Sequence, residues 1–562
     1  MKLLKNRQNN WPIAAILILT IVTRFSGLTW CFPYIPHPDE WNMAHAITQL
    51  NWREKLNPHF FAYGQFPLYL SYFSAVLYNF IPWIKIKAVN IQEAIFFLRF
   101  WSAFAGTGIV YLVYLISKKL FLKRQLIAPL LAVFTPGLIQ VSHFGTTESF
   151  LSFFFLLVLY LSFRILEKPK IKYFIFSGIA LGLAIGTKIS ALIFGFPVFL
   201  VFIFNFADVL KNKNKLKNLG KLFLKNLILI IFLVLLVLLT SPYLILAFKE
   251  SRGTLLYETS VATGKSAVFY TRQFIDTIPV LFQLQKIFPY ALGWPIFVFG
   301  TLGFLFECIV LIKKIVVRKK FLIIDLNFLS IIFAFLFYFL FQAFLFCKWT
   351  RFMSPVFAFF PIFAGFFLIN VIKKRFSFFV FYFLFFISLL PGLFFSSVYF
   401  SPDVRFTASE WIYKNIPSGF QILFDTGNVL DIPIPNPKSP TSHKSLNYSL
   451  ISFDFYHLDE NPELFPKLLN YLENSDYIIL PSRRIFINHL RFPEKYPLSA
   501  KYYELLFSGR LGFTPVAKIE PLYSKIFKDE QAEETFSVFD HPTIRIYKKY
   551  DNLSKSQYEI LF

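Results

Sequence analysis

Long apolar runs alternate with short basic loops through roughly the first 400 positions of the chain. Many of these runs reach about 18 residues, the length that a helix needs to cross a bilayer. Hydrophobic residues make up 56% of the chain and charged residues only 16%, which is atypical of a soluble protein. The pattern therefore predicts a polytopic α-helical membrane protein with about eleven transmembrane helices.

The predicted spans are apolar segments bounded by charged or turn-forming residues. They are 11–30, 94–117, 125–142, 148–165, 173–189, 191–207, 226–247, 290–312, 323–346, 352–371 and 376–398. One further apolar stretch, 66–84, is not counted among them. Counting it would reverse the sidedness of every later basic loop, so we predict an outer re-entrant or juxtamembrane helix there.

Basic residues cluster in loops between alternate spans. The clusters lie within Lys2–Arg7, Lys118–Arg124, Arg164–Lys172, Lys211–Lys225, Lys313–Lys320 and Lys373–Arg375. The positive-inside rule places these loops in the cytoplasm, which puts Asp39 and the C-terminus on the outer side. Membrane orientation thus accounts for the net charge of +25 without a nucleic acid partner. The expected location is the cell (plasma or inner) membrane.

The composition changes after position 398, where no further run is long enough to span a bilayer. Helical patterns at 408–415, 463–473 and 500–507 alternate with strand-like runs at 421–424, 477–480, 516–519 and 543–547. This alternation predicts a small extracytoplasmic α/β domain over 399–562, next to a transmembrane domain over 1–398.

Several charged residues lie where the apolar pattern does not explain them, and all fall on the predicted outer side. They are Asp39 and Glu40 after the first span, His143 and Glu148 between two spans, Lys188 at the end of a span, and Lys348 and Arg351 in a short turn. Asp39 also fits a helix N-cap, and Lys188 fits a lysine that snorkels to the interface. Their shared side nevertheless favours a common site in the membrane.

Acidic and basic side chains on one face suit a transfer reaction at a phosphate-linked carbon. A carboxylate can take the proton from an acceptor hydroxyl. Lysine and arginine can neutralise a departing phosphate, which would arrive on a lipid because the outer face has no nucleotide supply. Alternatively, Asp39 and Glu148 could bind a divalent metal ion that does part of this work.

Four motifs resemble the protein O-mannosyltransferase clan, which includes the bacterial aminoarabinose transferases and has the C-type glycosyltransferase fold. The motifs are Pro38-Asp39-Glu40, Ser142-His143-Phe144-Gly145-Thr146-Thr147-Glu148, Gly186-Thr187-Lys188 and the Arg-Phe-x-x-Pro turn at 351–355. The resemblance covers essentially all of 1–398. The stretches 411–417 and 539–542 resemble the C-terminal part of prokaryotic members.

The resemblance implies an integral-membrane glycosyltransferase that moves a sugar from a polyprenyl-phosphate donor to a hydroxyl or similar group of a protein, lipid or glycan acceptor on the outer face of the membrane. Asp39 matches the catalytic acidic position, with Glu40 beside it. Glu148, His143, Lys188, Lys348 and Arg351 are the expected substrate-binding residues. The resemblance does not identify the sugar or the acceptor.

Some residues depart from the family pattern or fit a structural role. Glu148 stands where many members carry aspartate, and the loop 248–289 contains no histidine for a zinc site. We expect His143 to be a hydrogen-bonding residue rather than a ligand, and His541 to belong to a structural turn. For Arg24 we weigh an acidic partner against snorkelling. Gly178, Gly182 and Gly186 recur every four residues, which predicts close helix packing.

Two other functions compete with the transferase. A lipid or glycan transporter or flippase usually shows internal repeats and midplane charges, and no repeat is visible here. A membrane platform for a C-terminal binding module would leave the outer charged turns unexplained. The transferase accounts for both features.

Overall fold

The computed structural model describes residues 11–562 except 81–87, 122–123, 212–213, 318–320, 373–377, 426–430 and 435–446. The chain forms two compact units, and some loop segments leave one unit to join the other. The first unit comprises Met1–Leu28, Asp39–Ser266 and Thr277–Ser396, and the second comprises Thr29–Pro38, Ala267–Asp276 and Ser397–Phe562. The basic residues Lys2, Lys5, Arg7, Lys123, Lys213, Arg318, Lys319, Lys320, Lys373, Lys374 and Arg375 lie outside the described residues.

The first unit is a polytopic helical membrane domain. Within the described residues seven helices are long and apolar enough to cross a bilayer, or up to eight if one bent pair is counted as a span. The seven are Ile91–Leu120, Glu148–Glu167, Ile189–Leu210, Lys215–Thr240, Trp294–Val316, Ile323–Ala343 and Phe378–Phe400. The bent pair is Thr350–Phe357 with Phe359–Asn370, at 49°.

The remaining three of the eleven predicted spans are shorter or broken. Trp11–Phe25 and Ile171–Thr187 are apolar helices of 15 and 17 residues. The predicted span 125–142 divides into the helices Ile127–Val133 and Pro136–His143. The other helices of this unit are Pro38–Thr48, Phe66–Asn79, Tyr243–Leu246, Phe248–Ala262, Gln283–Ile287 and Phe288–Ala291.

The break between Ile127–Val133 and Pro136–His143 is stabilised by Arg24. This side chain is fully buried. Its Nη1 and Nη2 atoms donate to the carbonyl oxygens of Val133 and Ala132 at 2.9 and 3.0 Å. These carbonyls end a helix and lack a partner within it, so the guanidinium fills that need. Arg24 therefore binds a helix end, and neither of the two alternatives weighed for it is correct.

The glycine repeat marks a helix contact, as predicted. Gly178, Gly182 and Gly186 lie on Ile171–Thr187, and a Cβ atom at each would come within 3.0 Å of atoms in Lys215–Thr240. Small residues therefore let these two helices approach closely. Phe66–Asn79 has 14 residues and reaches about 21 Å, which is too short to span a hydrocarbon core of about 30 Å.

The second unit contains a five-stranded mixed sheet. Its strands are β1 (Gln421–Asp425), β2 (Ser449–Phe453), β3 (Tyr477–Leu480), β4 (Phe513–Ile519) and β5 (Ile544–Lys549), in the order β2-β1-β3-β5-β4. Strand β1 is parallel to β2 and β3, whereas β5 is antiparallel to β3 and β4. The predicted α/β architecture is confirmed, and β2 is the strand that the sequence pattern missed.

Helices cover both faces of this sheet. Alternate residues of a strand point to opposite faces. Leu423 packs in a cluster with Leu468 and Leu506, whereas Ile422 packs in another with Ala408 and Ile412. The helices of the unit are Phe269–Phe274, Ser397–Phe400, Val404–Asn415, Phe455–His457, Leu464–Asn474, Phe486–His489, Pro497–Phe507, Leu522–Phe527, Asp529–Gln531, Glu534–Ser537 and Lys555–Leu561.

Candidate active site

Asp39 forms an ion pair with Arg351. Asp39 lies in the first turn of Pro38–Thr48, and Arg351 lies in the first turn of Thr350–Phe357. Their side chains are 20% and 22% exposed, so the pair sits in a partly open part of the first unit. The guanidinium of Arg351 also lies 4.9 Å from the Trp349 ring centre. The pair brings the start of Pro38–Thr48 together with the start of Thr350–Phe357.

Glu40, the next residue, is in a different environment. Its side chain is fully buried and accepts two hydrogen bonds from Arg99, at 2.8 Å from Nε and 2.6 Å from Nη2. The backbone N–H of Gly145 donates to the same carboxylate at 2.6 Å. Arg99 also donates to the carbonyl of Leu28 at 2.9 Å. Both oxygens of Glu40 are therefore held by the fold itself.

His143 joins two helices of the first unit. It is buried, and its Nδ1 and Nε2 atoms lie 2.9 and 2.8 Å from the carbonyl oxygens of Ile139 and Ser26. The ring thus bridges its own helix and the end of the first helix. The hydrogen-bonding role expected for His143 is confirmed by these two contacts.

Lys188 lies between aromatic rings. Its Nζ atom is 5.2 Å from the Tyr63 ring centre and 4.7 Å from that of Phe352, distances at which a cation is attracted by the ring faces. It also interacts electrostatically with Glu148 and Glu258. Because Phe352 follows Arg351 in the chain, the two cations border the same part of the first unit.

The position of Tyr63 follows from a glycine contact. The Gly64 N–H donates to the carbonyl of Thr187 at 2.9 Å. A Cβ atom at Gly64 would collide with the carbonyl of Gly186, so the two segments can approach only because position 64 lacks a side chain. This contact holds the Tyr63 ring beside Lys188.

Glu148 and Lys348 occupy less open positions. Glu148 is buried at the start of Glu148–Glu167, where Thr147 Oγ1 donates to it at 3.4 Å. Lys348 is also buried, and its Nζ donates to the carbonyl of Phe346 at 3.0 Å. That loop is in turn held by a hydrogen bond from the Cys347 N–H to Ala262 at 3.2 Å.

The seven predicted site residues thus divide into two groups. Asp39, Arg351, Lys188 and Glu148 carry charges in one connected region, through the Asp39–Arg351 pair and the electrostatic contact of Lys188 with Glu148. Glu40, His143 and Lys348 are bound by other parts of the fold, at the contacts described above.

Three residues of this region were missed by sequence reasoning. Arg99 interrupts the apolar run 94–117, and a cation inside a span was a usable signal for a buried acidic partner. Tyr63 and Glu258 gave no local signal, because long-range packing alone places them near Lys188.

A metal site is not assembled in the part of the chain that the structure describes. No three His, Cys, Asp or Glu side chains converge there. The carboxylate of Asp39 faces a guanidinium, which does not fit a cation-binding role in this arrangement. Asp39 and Glu148 thus each interact with a cationic side chain, Arg351 and Lys188 respectively.

The fold is shared with a solved glycosylation enzyme. The archaeal oligosaccharyltransferase AglB from Archaeoglobus fulgidus, solved with an inhibitory peptide and a dolichol-phosphate, aligns with a TM-score of 0.50 at 12% identity. The alignment covers 96% of this chain and 88% of that one. ArnT from Cupriavidus metallidurans, bound to undecaprenyl phosphate, aligns less well, with a TM-score of 0.42 at 12% identity over 95% of this chain and 97% of that one.

Sequence comparison finds relatives of one segment of the membrane part. YkcB of Bacillus subtilis (strain 168), a presumed mannosyltransferase, is 30% identical over 127 residues, which are 22% of this chain and 18% of YkcB. The chain thus spans less than a fifth of that relative. Residues 76–244 match the family described as dolichyl-phosphate-mannose-protein mannosyltransferase. This match agrees with the family resemblance predicted from the motifs.

Proposed function

We propose that the protein is an integral-membrane glycosyltransferase that moves a sugar from a polyprenyl-phosphate donor to a hydroxyl or similar group of an acceptor. The Asp39–Arg351 ion pair is the observation that carries this proposal, since it joins a base to a phosphate-binding cation at one partly open place. The family match over 76–244 and the fold shared with an oligosaccharyltransferase solved with dolichol-phosphate support the same function.

In the proposed mechanism Asp39 is the general base. The acceptor oxygen attacks the anomeric carbon and its proton passes to Asp39. The bond between that carbon and the phosphate oxygen breaks, and polyprenyl phosphate leaves with the bonding electrons. Arg351 and Lys188 stabilise the negative charge that collects on the leaving phosphate.

Arg351 has a second role in this proposal. Before the donor binds, it is paired with the carboxylate of Asp39. The contacts of arginine with a carboxylate and with a phosphate are both charge-assisted. A charge-assisted hydrogen bond to phosphate is worth about 1.5–3 kcal/mol, so the donor phosphate can replace Asp39 as the partner of Arg351. Donor binding would thus release the carboxylate of Asp39 for the acceptor.

Lys188 is suited to hold a second phosphate oxygen. The aromatic rings of Tyr63 and Phe352 restrain its ammonium group without neutralising it, at 5.2 and 4.7 Å. Within the described residues no carboxylate lies within 4.0 Å of it, and Glu148 and Glu258 act on it from further away. An incoming phosphate can therefore contact this lysine without first breaking an ion pair.

Glu40 is proposed to position the loop rather than to react. Three hydrogen bonds from Arg99 and Gly145 use both of its oxygens, at 2.6–2.8 Å. Removing one partner of a buried ion pair costs about 3–5 kcal/mol, so this carboxylate cannot easily leave Arg99. It fixes the backbone from which Asp39 extends.

We further propose that the site and residues 399–562 face the outer side. The positive charges in alternate loops support this orientation, and the strongest group is Lys211–Lys225. The phosphate donor would then have to be lipid-linked.

The replacement Asp39→Asn tests the base. Asparagine keeps the size of the side chain and its ability to cap a helix, but it is a poor proton acceptor. Turnover should fall roughly 10²- to 10⁴-fold. The assay incubates purified protein with polyprenyl-phosphate mannose and a cell-envelope extract, and quantifies released polyprenyl phosphate by mass spectrometry. Asp208→Asn, at a side chain 82% exposed, is the matched control and should be active. Normal turnover of Asp39→Asn would place the base elsewhere.

Donor binding tests the two cations. Arg351→Ala and Lys188→Ala should each weaken binding of polyprenyl phosphate by about 10- to 150-fold, because each removes one charge-assisted contact. Binding is measured by titration of purified protein in detergent or nanodiscs. Lys211→Ala, at a side chain 79% exposed, removes a charge from an unrelated loop and should leave the affinity unchanged. Unaltered affinity in both test variants would mean that Arg351 and Lys188 are interfacial cations that do not bind the donor phosphate.

Comparing stability with turnover separates Glu40 from Asp39. Glu40→Gln leaves the buried charge of Arg99 without its counterion, and we expect a stability loss of order 3–5 kcal/mol with a lower thermal unfolding temperature. Turnover of the folded fraction should fall less than in Asp39→Asn. If Glu40→Gln has normal stability but no activity, Glu40 is the base and Asp39 is the positioning residue.

Orientation is tested with reporters. Alkaline phosphatase, which folds only in an oxidising compartment, should be active when fused after Tyr399 or Phe562. The same reporter inserted at the Lys215 end of Lys215–Thr240 should be inactive. Phosphatase activity only in the Lys215 fusion would reverse the sidedness.

A further inference from the structure

Three elements of the membrane unit meet around the ring of Phe288. Its centre lies 5.5 Å from the Phe339 ring centre and 6.4 Å from that of Phe357. Phe339 lies in the span Ile323–Ala343, and Phe357 ends the helix Thr350–Phe357, which carries the proposed phosphate-binding arginine. The segment around Phe288 therefore packs against both of these helices.

Ring contacts further along the chain show the relative directions of the three elements. The Phe304 ring centre lies 5.4 Å from that of Phe335 and 5.5 Å from that of Phe363. Between Phe288 and Phe304, the contacted residue thus moves backward along the span Ile323–Ala343 and forward along the bent pair of helices. The segment at Phe288 consequently runs antiparallel to the span and in the same direction as the bent pair.

Each of these elements carries a polar side chain about one helical turn from the aromatic contact. Because of their directions, residues before Phe288 lie level with residues after Phe339 and residues before Phe357. The polar residues at that level are Gln283, Gln342 and Ser354. One further turn in the same direction along the third element leads to Arg351, so this polar level adjoins the proposed phosphate site.

Gln283 has unmet hydrogen bonds. Its side chain is fully buried, and neither Nε2 nor Oε1 has a hydrogen-bond partner in the part of the chain that the structure describes. Gln283 is the first residue of the π-helix Gln283–Ile287, a rare geometry that is frequent at functional sites. It shares its buried face with Ile287 and Phe288, so the amide is directed into the unit. Proteins rarely bury an amide in this way, because its lost contacts with water are not replaced.

Gln342 and Ser354 also have unmet hydrogen bonds. Their exposures are 7% and 0%, and neither Gln342 Oε1 nor Ser354 Oγ has a partner among the residues that the structure describes. The amide nitrogen of Gln342 donates to the Tyr338 hydroxyl at 3.4 Å, and that hydroxyl donates to the carbonyl of Phe352 at 2.9 Å. These two hydrogen bonds tie Gln342 to the residue that follows Arg351.

The three polar groups lie within reach of a sugar attached to the proposed phosphate site. Ser354 follows Arg351 by three positions on one helix, a spacing at which Cβ atoms are about 5–6 Å apart. A sugar hydroxyl both donates and accepts hydrogen bonds. The glutamine amides and the serine hydroxyl offer both donors and acceptors in return.

We propose that Gln283, Gln342 and Ser354 form the subsite that binds the hydroxyl groups of the transferred sugar. This inference rests on the proposed function, in which the sugar arrives on a phosphate held by Arg351 and Lys188. The sugar supplies the hydrogen bonds that these side chains do not make within the described protein. A site built to hydrogen-bond a hydroxyl discriminates strongly against analogues that lack it, so the three residues also determine sugar specificity.

The test compares the affinity of the protein for polyprenyl phosphate with its affinity for polyprenyl-phosphate sugars. Purified full-length protein in nanodiscs is titrated with polyprenyl phosphate and with its mannose, glucose and galactose derivatives. At least one sugar derivative should bind the parent protein more tightly than polyprenyl phosphate. Gln283→Leu and Gln342→Leu should each reduce that advantage about 2- to 12-fold, the value of one neutral hydrogen bond. Affinity for polyprenyl phosphate itself should stay within about twofold of the parent value, because the phosphate contacts remain.

Gln285→Leu is the matched control, because this glutamine lies two positions from Gln283 and is exposed. It should bind all the ligands like the parent protein. Leucine is close to glutamine in size, and Gln283→Leu removes a buried amide whose hydrogen bonds are unmet. Without donor, this variant should therefore unfold at the parental temperature or above it. A purely structural glutamine would instead lower the unfolding temperature and leave the preference for the sugar unchanged. If Gln283→Leu does not accumulate as folded protein, Gln342→Leu and Ser354→Ala carry the test.

The outcomes separate this inference from the proposed function. The subsite is overturned if the parent protein binds no sugar derivative more tightly than polyprenyl phosphate, or if Gln283→Leu and Gln342→Leu both keep the full advantage of the sugar. An equal loss in Gln285→Leu also overturns it. In each case an inactive Asp39→Asn protein, with weaker polyprenyl phosphate binding in Arg351→Ala, leaves the transferase intact. A parent protein that does not bind polyprenyl phosphate overturns the proposed function, and the subsite with it.

Discussion

The membrane unit depends on the buried ion pair between Glu40 and Arg99. The pair ties the helix Pro38–Thr48 to the span Ile91–Leu120, and the Gly145 N–H adds the connection between Pro136–His143 and Glu148–Glu167. Both charges are withdrawn from water, which is costly unless the geometry satisfies them, and here two guanidinium bonds and one amide bond do so. Everything proposed for Asp39 assumes that this pair holds its backbone in place.

Adjacent carboxylates have opposite surroundings as a result. Glu40 is fully buried and bound by the fold, whereas Asp39 is 20% exposed and paired with an arginine that a phosphate can take over. Breaking the first would leave a fully buried charge unpaired, whereas in the second a phosphate can take the place of the carboxylate. This difference allows Glu40 to hold the backbone in place while Asp39 can give up its contact with Arg351.

Much of the architecture could be predicted from the sequence, because lipid and sheet environments impose simple periodicities. Apolar length located the spans, and alternation located four of the five strands. β2 was missed because residues 449–451 are largely exposed, which weakens the apolar pattern. Shorter elements were less predictable: the span 125–142 is broken, since Arg24 can stabilise the interrupted helix ends.

The site was predictable in position more than in role. Misplaced charges pointed to Asp39, Arg351 and Lys188, but the same signal could not distinguish the proposed base from the fully buried Glu40. That distinction depends on Arg99, a partner 59 positions away in the chain. The excursions of Thr29–Pro38 and Ala267–Asp276 into the second unit were also invisible, because they arise from tertiary packing.

The exchange of partners at Arg351 is the central claim, and a structure of the protein with bound polyprenyl phosphate tests it most directly. The account predicts that the Arg351 guanidinium contacts a phosphate oxygen and that the Asp39 carboxylate has moved beyond ion-pair distance, about 4 Å. A phosphate bound elsewhere, with the Asp39–Arg351 pair intact, would contradict it.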